Sequence, residues 1–258
     1  MIDLDLSGKT ILITGALGAI AGHIVRRLNA AGANLILIDI KAETDARQAL
    51  NAWGMASTSY LYFSADVTDS SQLTRVIEGS FEHHPMLDTV LGHAGGCGLH
   101  PFTETSEATY ERIFHLNYFA QTYLARAVLA QWTVRKIPGH LIFTSSYVAR
   151  FPHTQISSYA PAKAALENFT RCLALEYAAS GIRVNAISPG NVAAGSSLKV
   201  FDEDEAYRQF VLRISPMGKR NTPEAVADTF AFLCSPLARE INGQVLNVDF
   251  GVGIGSRL

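Results

Sequence analysis

The sequence predicts an α/β fold in which one doubly wound, mostly parallel sheet of seven strands carries helices on both faces. Short apolar runs alternate with helix-forming segments along the whole chain, as strands and crossover helices do. A glycine-rich turn follows the first of these runs. With 258 residues, 48% of them hydrophobic, the chain is long enough to bury one large core. We therefore expect residues 1–258 to form a single domain.

The first predicted unit is a strand, a glycine-rich turn, a helix and a second strand. The apolar run 9–14 predicts the first strand, and TGALGAIAG supplies the turn into a helix that ends near Gly32. The second run, 34–40, carries Asp39 near its end, twenty-one residues after Gly18. This combination is typical of dinucleotide-binding units. Their glycines let the backbone approach the pyrophosphate, and the helix N-terminus attracts it.

Asp39 also bears on which dinucleotide is bound. A carboxylate at this position accepts hydrogen bonds from the adenosine ribose hydroxyls and repels a 2′-phosphate, so NAD is favoured over NADP. Lys41 lies close by in sequence and could tolerate a phosphate, which leaves NADP as an alternative. A solvated loop acid is the remaining interpretation of Asp39.

The same alternation continues to the end of the chain. Strands are predicted at 58–66, 87–95, 140–146, 182–188 and 244–250, and helices at 70–84, 106–136, 158–179 and 223–234. Residues 191–216 combine small residues with a short amphipathic helix and predict a lid over the substrate. Ligands should lie beyond the carboxyl ends of the strands.

A phenol and an ammonium four residues apart provide the candidate reactive groups. Tyr159 and Lys163 lie on one face of a predicted helix that begins near Ser158 as its N-cap, with Pro161 in the first turn. A nearby ammonium favours the phenolate, so we expect Lys163 to lower the pKa of Tyr159. The pair would then exchange a proton near neutral pH, as interconversion of a carbonyl and an alcohol requires. A chance pair on an amphipathic helix is the alternative.

Several classes of protein are disfavoured by composition. A formal net charge of −2 gives no footprint for nucleic acid or an anionic membrane. The amino terminus MIDLDLSGK lacks the apolar segment of a signal peptide, and no apolar run reaches the length of a membrane span. Eight histidines show no metal-ligand spacing, so no metal is expected. Three widely spaced cysteines without a CxxC motif fit a reducing compartment, and we expect a cytoplasmic protein.

With these elements in place, the sequence resembles the short-chain dehydrogenase/reductase family in its short, single-domain branch, whose sheet is of the Rossmann type. The resemblance extends from Gly8 to Gly251. Its markers occur in the family's order: TGALGAIAG, Asp66-Val67, HAGG, Asn117, Ser146, YAPAK, RVNAISPG and INGQVLNVDFG. Any one of them is a weak signal, whereas eight in order are specific.

The resemblance implies an NAD(H)-dependent oxidoreductase that interconverts a secondary alcohol and a ketone. Tyr159 would be the general acid/base, Lys163 would hold the nicotinamide ribose, Ser146 would bind the substrate oxygen, and Asn117 would keep a water in a proton relay. The implied cofactor-binding residues are Gly15, Leu17, Gly18, Ala19, Ile20, Asp39, Asp66, Val67, His93, Ala94, Gly95, Tyr159, Lys163, Pro189, Gly190 and Val192. A homotetramer is implied in the same way.

Four departures from the family pattern leave a second class of function open. Two loop glycines are replaced by Ala19 and Ala21, and the family's NNAG is Gly92-His93-Ala94-Gly95 here. A threonine expected at the nicotinamide carboxamide is Ala194. We expect cofactor binding to survive these changes, weakened at most, and they motivate the alternative of an NAD-binding scaffold or sensor without turnover.

The residues expected around the substrate do not identify it. His100, His153, Tyr147, Arg150, Phe151 and Gln155 are expected on loops at the pocket, with Phe201, Tyr207, Phe210 and Val211 on the lid. Arg150 could bind a carboxylate or phosphate, or it could face solvent. Cys97 is expected to be an inert thiol. A sugar or polyol, a hydroxy acid and a cyclic ketone suit this set equally well.

Overall fold

The computed structural model describes residues 4–254, apart from the side chain of Ser196. Residues 1–3, which begin MIDLDLSGK, and residues 255–258 belong to the predicted domain but lie outside the described residues. Seven strands form one sheet in the order β3-β2-β1-β4-β5-β6-β7, and every neighbouring pair is parallel. The predicted fold class is confirmed.

The strands and helices alternate as the sequence predicts. The strands are Thr10–Thr14 (β1), Asn34–Asp39 (β2), Tyr60–Ser64 (β3), Thr89–Gly92 (β4), His140–Thr144 (β5), Arg183–Pro189 (β6) and Val245–Val248 (β7). The α-helices are Ala21–Ala30 (α1), Glu43–Ala52 (α2), Ser70–His83 (α3), Glu107–Phe114 (α4), Ala120–Arg135 (α5), Ala160–Glu176 (α6), Ser196–Glu203 (α7), Glu205–Ile214 (α8) and Pro223–Cys234 (α9).

Alternating side chains of the central strands divide the core into two layers. Ile11 and Ile13 of β1 pack with α1, α2 and α9 on one face of the sheet. Leu12, between them, packs with α3, α5 and α6 on the other face. All three side chains are fully buried. Burial of each stabilises the fold by about 1.5–3 kcal/mol, which holds the ends of β1 and β4 in register for the site.

Three elements differ from the sequence prediction. Helix α2 was not predicted, because only Ala46 and Leu50 of its ten residues are buried and its pattern is largely polar. The predicted helix 106–136 is interrupted at His115–Phe119 by a π-helical turn. The lid contains two helices, α7 and α8, rather than one, because the side chain of Asp204 caps α8 by accepting from the Tyr207 N–H. No helix within residues 4–254 is long and apolar enough to cross a membrane.

Candidate active site

The predicted reactive residues converge at the carboxyl end of β5 and the start of α6. Tyr159 is itself the N-cap residue of α6, so the prediction that Ser158 caps this helix is wrong. Ser158 lies one residue before the N-cap and is buried, whereas Pro161 occupies the first turn as expected. The proline fits there because the first-turn N–H groups have no acceptor within the helix. Tyr159 is thereby held at the mouth of the helix.

Ser146, Tyr159 and Lys163 form one connected group. The Ser146 side chain hydrogen-bonds that of Tyr159. Lys163 Nζ lies 5.5 Å from the centroid of the Tyr159 ring and donates a 2.8 Å hydrogen bond to the carbonyl of Thr144. The bond to the end of β5 fixes the ammonium one helical turn beyond the phenol.

Burial controls the protonation of this group. It raises the pKa of Tyr159, and the hydrogen bond with Ser146 opposes that rise only in part. The expectation that Lys163 lowers the pKa of Tyr159 is therefore wrong for this structure. Burial also lowers the pKa of Lys163 to about 8, because the ammonium has lost its hydration. Both side chains are therefore held toward their neutral forms.

Asn117 belongs to the π-helical turn, and its side chain lies near the Lys163 ammonium. Its Oδ1 accepts a hydrogen bond from the Gly96 N–H, and its Nδ2 donates to the carbonyls of Gly96 and Ile113. A Cβ on Gly95 would lie 2.8 Å from the Asn117 Oδ1 and 3.4 Å from the Lys163 Nζ. The glycine at position 95 therefore allows the amide and the ammonium to approach the same point. The proposed water at Asn117 stays a prediction.

The nucleotide half of the site lies where the strand order reverses between β1 and β4. The Thr14 hydroxyl accepts hydrogen bonds from the N–H groups of His93 and Ala94, which joins the ends of the two strands. A Cβ on Gly15 would lie 2.8 Å from the Ala94 Cα, and Gly15 has φ +66°. No side chain caps the N-terminus of α1. Its backbone N–H groups are therefore suited to a pyrophosphate.

Asp39, which the sequence predicts to meet the adenosine ribose, is tied to the glycine turn. It is 8% exposed, and its Oδ2 accepts a 2.9 Å hydrogen bond from the Leu17 N–H in the glycine turn. The interpretation as a solvated loop acid is therefore wrong. A carboxylate has about four acceptor positions, so Asp39 can hold the turn and still accept from a ribose. Asp66 is similarly ordered, because its Oδ1 accepts from the N–H and the hydroxyl of Thr68.

A cavity of about 840 Å³ connects these groups. Most predicted cofactor residues line it: Gly15, Gly18, Ala19, Ile20, Asp39, Asp66, Val67, His93, Ala94, Gly95, Tyr159, Pro189, Gly190 and Val192. Three predicted residues do not. Leu17 acts through its N–H on Asp39, while Lys163 and Asn117 lie behind the cavity wall.

The altered GHAG segment is supported by residues that sequence reasoning missed. His93 Nδ1 is 2.8 Å from the Thr144 hydroxyl, and burial lowers the pKa of His93 to about 4. Gln121 Nε2 donates a 2.7 Å hydrogen bond to the Ala94 carbonyl. A Cβ on Gly92 would collide with the Gln121 Oε1. The amide of Gln121 therefore occupies space that a side chain at position 92 would need.

Arg220 is a second residue that the sequence did not reveal. Its guanidinium donates to the Asn191 Oδ1, the Val192 carbonyl and the Ser197 hydroxyl, at 2.7, 3.1 and 3.0 Å. It also lies 4.1 Å from the centroid of the Phe201 ring. Phe201 thus anchors the lid rather than capping the pocket. No short sequence motif reveals such a residue, because its partners are distant in sequence.

Several predicted pocket residues have other roles. Arg150 does not line the cavity; it is exposed, as one of its two interpretations expects, and forms a 3.0 Å ion pair with the buried Glu167. Gln155 lines a separate cleft, and Phe151 and His100 do not line the cavity. Tyr147 and His153 do line it, as do the lid residues Val200 and Tyr207. Phe210 packs edge-on against His153, and Val211 is buried.

Cys97 lines the cavity without the features of a nucleophile. Burial raises the pKa of its thiol to about 11, so little thiolate forms at neutral pH. The other two cysteines are also free thiols. Across residues 4–254, no group of three or more side chains is arranged to hold a metal ion.

Comparison with known proteins identifies the family. A protein-family model described as Enoyl-(Acyl carrier protein) reductase matches residues 15–253. The chain belongs to the short-chain dehydrogenase/reductase family, whose members are oxidoreductases of the Rossmann type.

Relatives named for different substrates have similar sequence identity to this chain. The chain is 31% identical to 3beta-hydroxysteroid dehydrogenase 1 of Eggerthella lenta, covering 96% of this chain and 95% of that one. It is 32% identical to galactitol 2-dehydrogenase (L-tagatose-forming) of Cereibacter sphaeroides, covering 95% of each. A solved structure of a putative 2-deoxy-d-gluconate 3-dehydrogenase from Agrobacterium tumefaciens with bound NADP has a TM-score of 0.86 at 25% identity, covering 98% of this chain and 99% of that one.

Proposed function

We propose that this protein interconverts a secondary alcohol and a ketone with NAD(H), using Tyr159 as the general acid/base. The observation that carries the proposal is the connected group of Ser146, Tyr159 and Lys163 at one end of a cavity whose other end holds Asp39. The residues proposed for proton transfer and those proposed for the nucleotide thus lie at one cavity.

The described side chains suit the proton transfer. In the oxidation direction Tyr159 removes the hydroxyl proton and Ser146 orients the alcohol oxygen. Because the Ser146 side chain acts on the Tyr159 hydroxyl, a substrate oxygen that meets both is held at the reacting position. The positive charge of Lys163, one turn further along α6, stabilises the phenolate form of Tyr159 that accepts this proton, against the opposing effect of burial. Acid–base help of this kind contributes about 100- to 10,000-fold to rate.

The nucleotide supplies the hydride acceptor or donor when it is bound. The uncapped N-terminus of α1 fits its pyrophosphate, and the buried carboxylate of Asp39 fits an unphosphorylated ribose. Val192, on the loop held by Arg220, would meet the nicotinamide. NAD is therefore the proposed cofactor, and NADP is the alternative that a relative with bound NADP keeps open.

A cofactor-binding scaffold without turnover is the second candidate. The altered GHAG segment favours it, because both amides of the family's NNAG are missing. Against it, His93 and Gln121 supply hydrogen bonds at that segment, to the Thr144 hydroxyl and the Ala94 carbonyl.

Assays of purified protein with NAD, NADP and a panel of secondary alcohols test both candidates. We expect reduced nicotinamide to form, to disappear in Tyr159→Phe, and to form with higher kcat/KM from NAD. Absence of turnover with every alcohol would favour the scaffold. A higher kcat/KM with NADP would overturn the assignment of Asp39 and leave the oxidoreductase assignment intact.

We also propose a homotetramer, with α4–α6 as one of its contact faces. Tyr110 stacks on Phe114, and Phe119 beside them is 44% exposed. Leu175 on α6 is 82% exposed. An apolar face of this kind suits a second copy of the chain. Light scattering during size-exclusion chromatography would give four times the mass of one chain, and a monomer at micromolar concentration would contradict it.

A further inference from the structure

The substrate end of the cavity is uncharged. The described residues that line it around Ser146 and Tyr159 are largely apolar: Leu99, Leu116, Val148, Ile156 and Val200. The two carboxylates of the lining, Asp39 and Asp66, lie at the adenosine end, and no lysine or arginine of residues 4–254 lines the cavity. A carboxylate or phosphate bound here would therefore lack a cationic partner.

The cations closest to this region are already bound to other groups. Arg150 is paired with Glu167, and the Arg220 guanidinium donates to Asn191, Val192 and Ser197. Lys163 donates to the Thr144 carbonyl from behind the wall. Because an unpaired buried charge is strongly unfavourable, a hydroxy acid or a sugar phosphate does not fit this wall.

Most polar side chains of the wall are also engaged. The Ser145 hydroxyl donates to the buried Glu167 at 3.0 Å. Asn191 donates to the Tyr207 hydroxyl and accepts from Arg220, so both ends of its amide are occupied. His153 Nδ1 is 2.8 Å from the Thr154 carbonyl. A polyol would therefore bury several hydroxyls that find no partner, which weakens binding.

Few polar groups of the wall remain available, and the hydroxyls of Tyr147 and Tyr207 are two of them; Tyr207 accepts from Asn191 and can still donate. Tyr147 makes no side-chain hydrogen bond within the described part of the chain, although it is 8% exposed and close enough to Tyr159 to influence it electrostatically. Tyr147 and Tyr207 can therefore each meet one polar group on the substrate, in addition to the reacting oxygen at Ser146 and Tyr159.

We propose that the substrate is an uncharged, mainly apolar secondary alcohol, or the matching ketone, with few hydrogen-bonding groups beyond the reacting carbon. This proposal rests on the proposed oxidoreductase function. In the oxidation, the C–H hydrogen leaves with its electron pair as hydride to NAD⁺, and the O–H proton passes to the phenolate form of Tyr159, which becomes the neutral phenol. The products are the ketone and NADH, which balances the two electrons.

A three-class panel tests the proposal. The probes are 2-decalol as the apolar alcohol, galactitol as the polyol and 3-hydroxybutyrate as the hydroxy acid, each with NAD and the full-length protein. We expect kcat/KM for 2-decalol to exceed the other two by about tenfold or more, since a wall with few free polar partners discriminates against polar substrates. A higher kcat/KM with galactitol or 3-hydroxybutyrate would overturn the substrate class while leaving the oxidoreductase function intact.

Measurements of ketone affinity distinguish a wrong substrate class from a wrong oxidoreductase assignment. The affinity of the protein–NADH complex for 2-decalone is compared with its affinity for tagatose and acetoacetate by titration calorimetry. Tighter binding of 2-decalone without turnover of any alcohol would support the class and contradict the oxidoreductase function. Equal or weaker binding of 2-decalone would overturn the class.

Substitutions in the cavity wall test whether these side chains contact the substrate. Leu99 and Val200 are 41% and 37% exposed, so Leu99→Asn and Val200→Asn should fold. Each should raise the KM for 2-decalol several-fold and leave NADH affinity unchanged. Met86→Asn, at a residue that is 72% exposed and outside the cavity, is the matched control. An unchanged KM in both wall variants would contradict contact between these side chains and the substrate.

Discussion

Lys163 is tied to Thr144 by a 2.8 Å hydrogen bond from its Nζ to the threonine carbonyl. The same threonine meets His93 through its hydroxyl, 2.8 Å from Nδ1. One residue at the end of β5 therefore orients both the buried ammonium and the histidine that replaces an amide of the family motif. The positions of Lys163 and His93 depend on each other through Thr144.

Replacing Thr144 by valine should destabilise the protein. The change keeps the shape and the carbonyl but leaves the buried His93 without its side-chain partner, which costs about 1–3 kcal/mol. Urea unfolding measures the effect. Thr122→Val is the control, because its hydroxyl binds the Phe119 carbonyl at an exposed site and should contribute less than about 0.5 kcal/mol. Equal losses in the two variants would argue against a special role for Thr144.

The pH dependence of stability should carry a contribution from His93. Its pKa is lowered from 6.5 to about 4 by burial and by Lys163. Between these values the unfolded chain binds a proton that the folded protein does not, so stability falls as the pH falls from 6.5 to 4. His93→Asn should remove about 1–3 kcal/mol of that fall.

The exposed His100 provides the comparison for this measurement. His100→Asn should show the same acid-dependent fall as the unaltered protein, measured as the free energy of unfolding at pH 7 and pH 4.5. Burial also depresses the pKa of His140, but all three proteins retain that residue, so its contribution cancels. An identical fall in His93→Asn would show that the histidine is not kept neutral by its surroundings.

Arg220→Met should weaken cofactor binding. The guanidinium joins Asn191, Val192 and Ser197, and its loss would free the loop that we propose borders the nicotinamide. Charge-assisted hydrogen bonds contribute about 1.5–3 kcal/mol, so we expect a loss of about tenfold in NADH affinity by fluorescence titration. The NADH affinity of Arg220→Lys should lie between those of the unaltered protein and Arg220→Met, because an ammonium lacks the planar fork of a guanidinium. Arg213→Met, on the exposed side of α8, is the control; equal affinities in the two Met variants would refute the role of Arg220.

Gly92 and Gln121 should be energetically coupled. A methyl group at position 92 would collide with the Gln121 Oε1 and lie 2.7 Å from the Phe143 ring, so Gly92→Ala should destabilise by about 1–3 kcal/mol. In Gln121→Ala the same methyl group should cost less, which a double-mutant cycle measures. Gly79→Ala in α3, where no atom lies within 4 Å of the added Cβ, should be neutral or stabilising. Additive effects at Gly92 and Gln121 would contradict the shared space.

The fold and the reactive group were predictable because their signals are local. The run 9–14, the glycine turn and Asp39 lie within one short unit, and Tyr159 and Lys163 are one helical turn apart. Parallel sheet topology then brings all strand ends to one edge. The sequence therefore predicted which residues meet, even where single details such as the helix cap at Ser158 were wrong.

What the sequence did not predict depends on contacts between distant segments. Arg220 reaches a loop twenty-eight residues earlier, and Gln121 meets a carbonyl twenty-seven residues earlier. The pKa of Tyr159 was misjudged for a related reason, because burial by the surrounding protein exceeds the influence of the single charge four residues away.

Single-turnover hydride transfer in Tyr159→Phe tests the account most directly. Protein saturated with NAD is mixed with a secondary alcohol that the unaltered protein oxidises, and reduced nicotinamide is followed with time. We expect the rate to fall about 100-fold or more while NADH affinity stays within about twofold, because the lost hydroxyl moves the proton while the many other residues proposed for the nucleotide remain. Hydride transfer at the unaltered rate would contradict the assignment of Tyr159 as the acid/base.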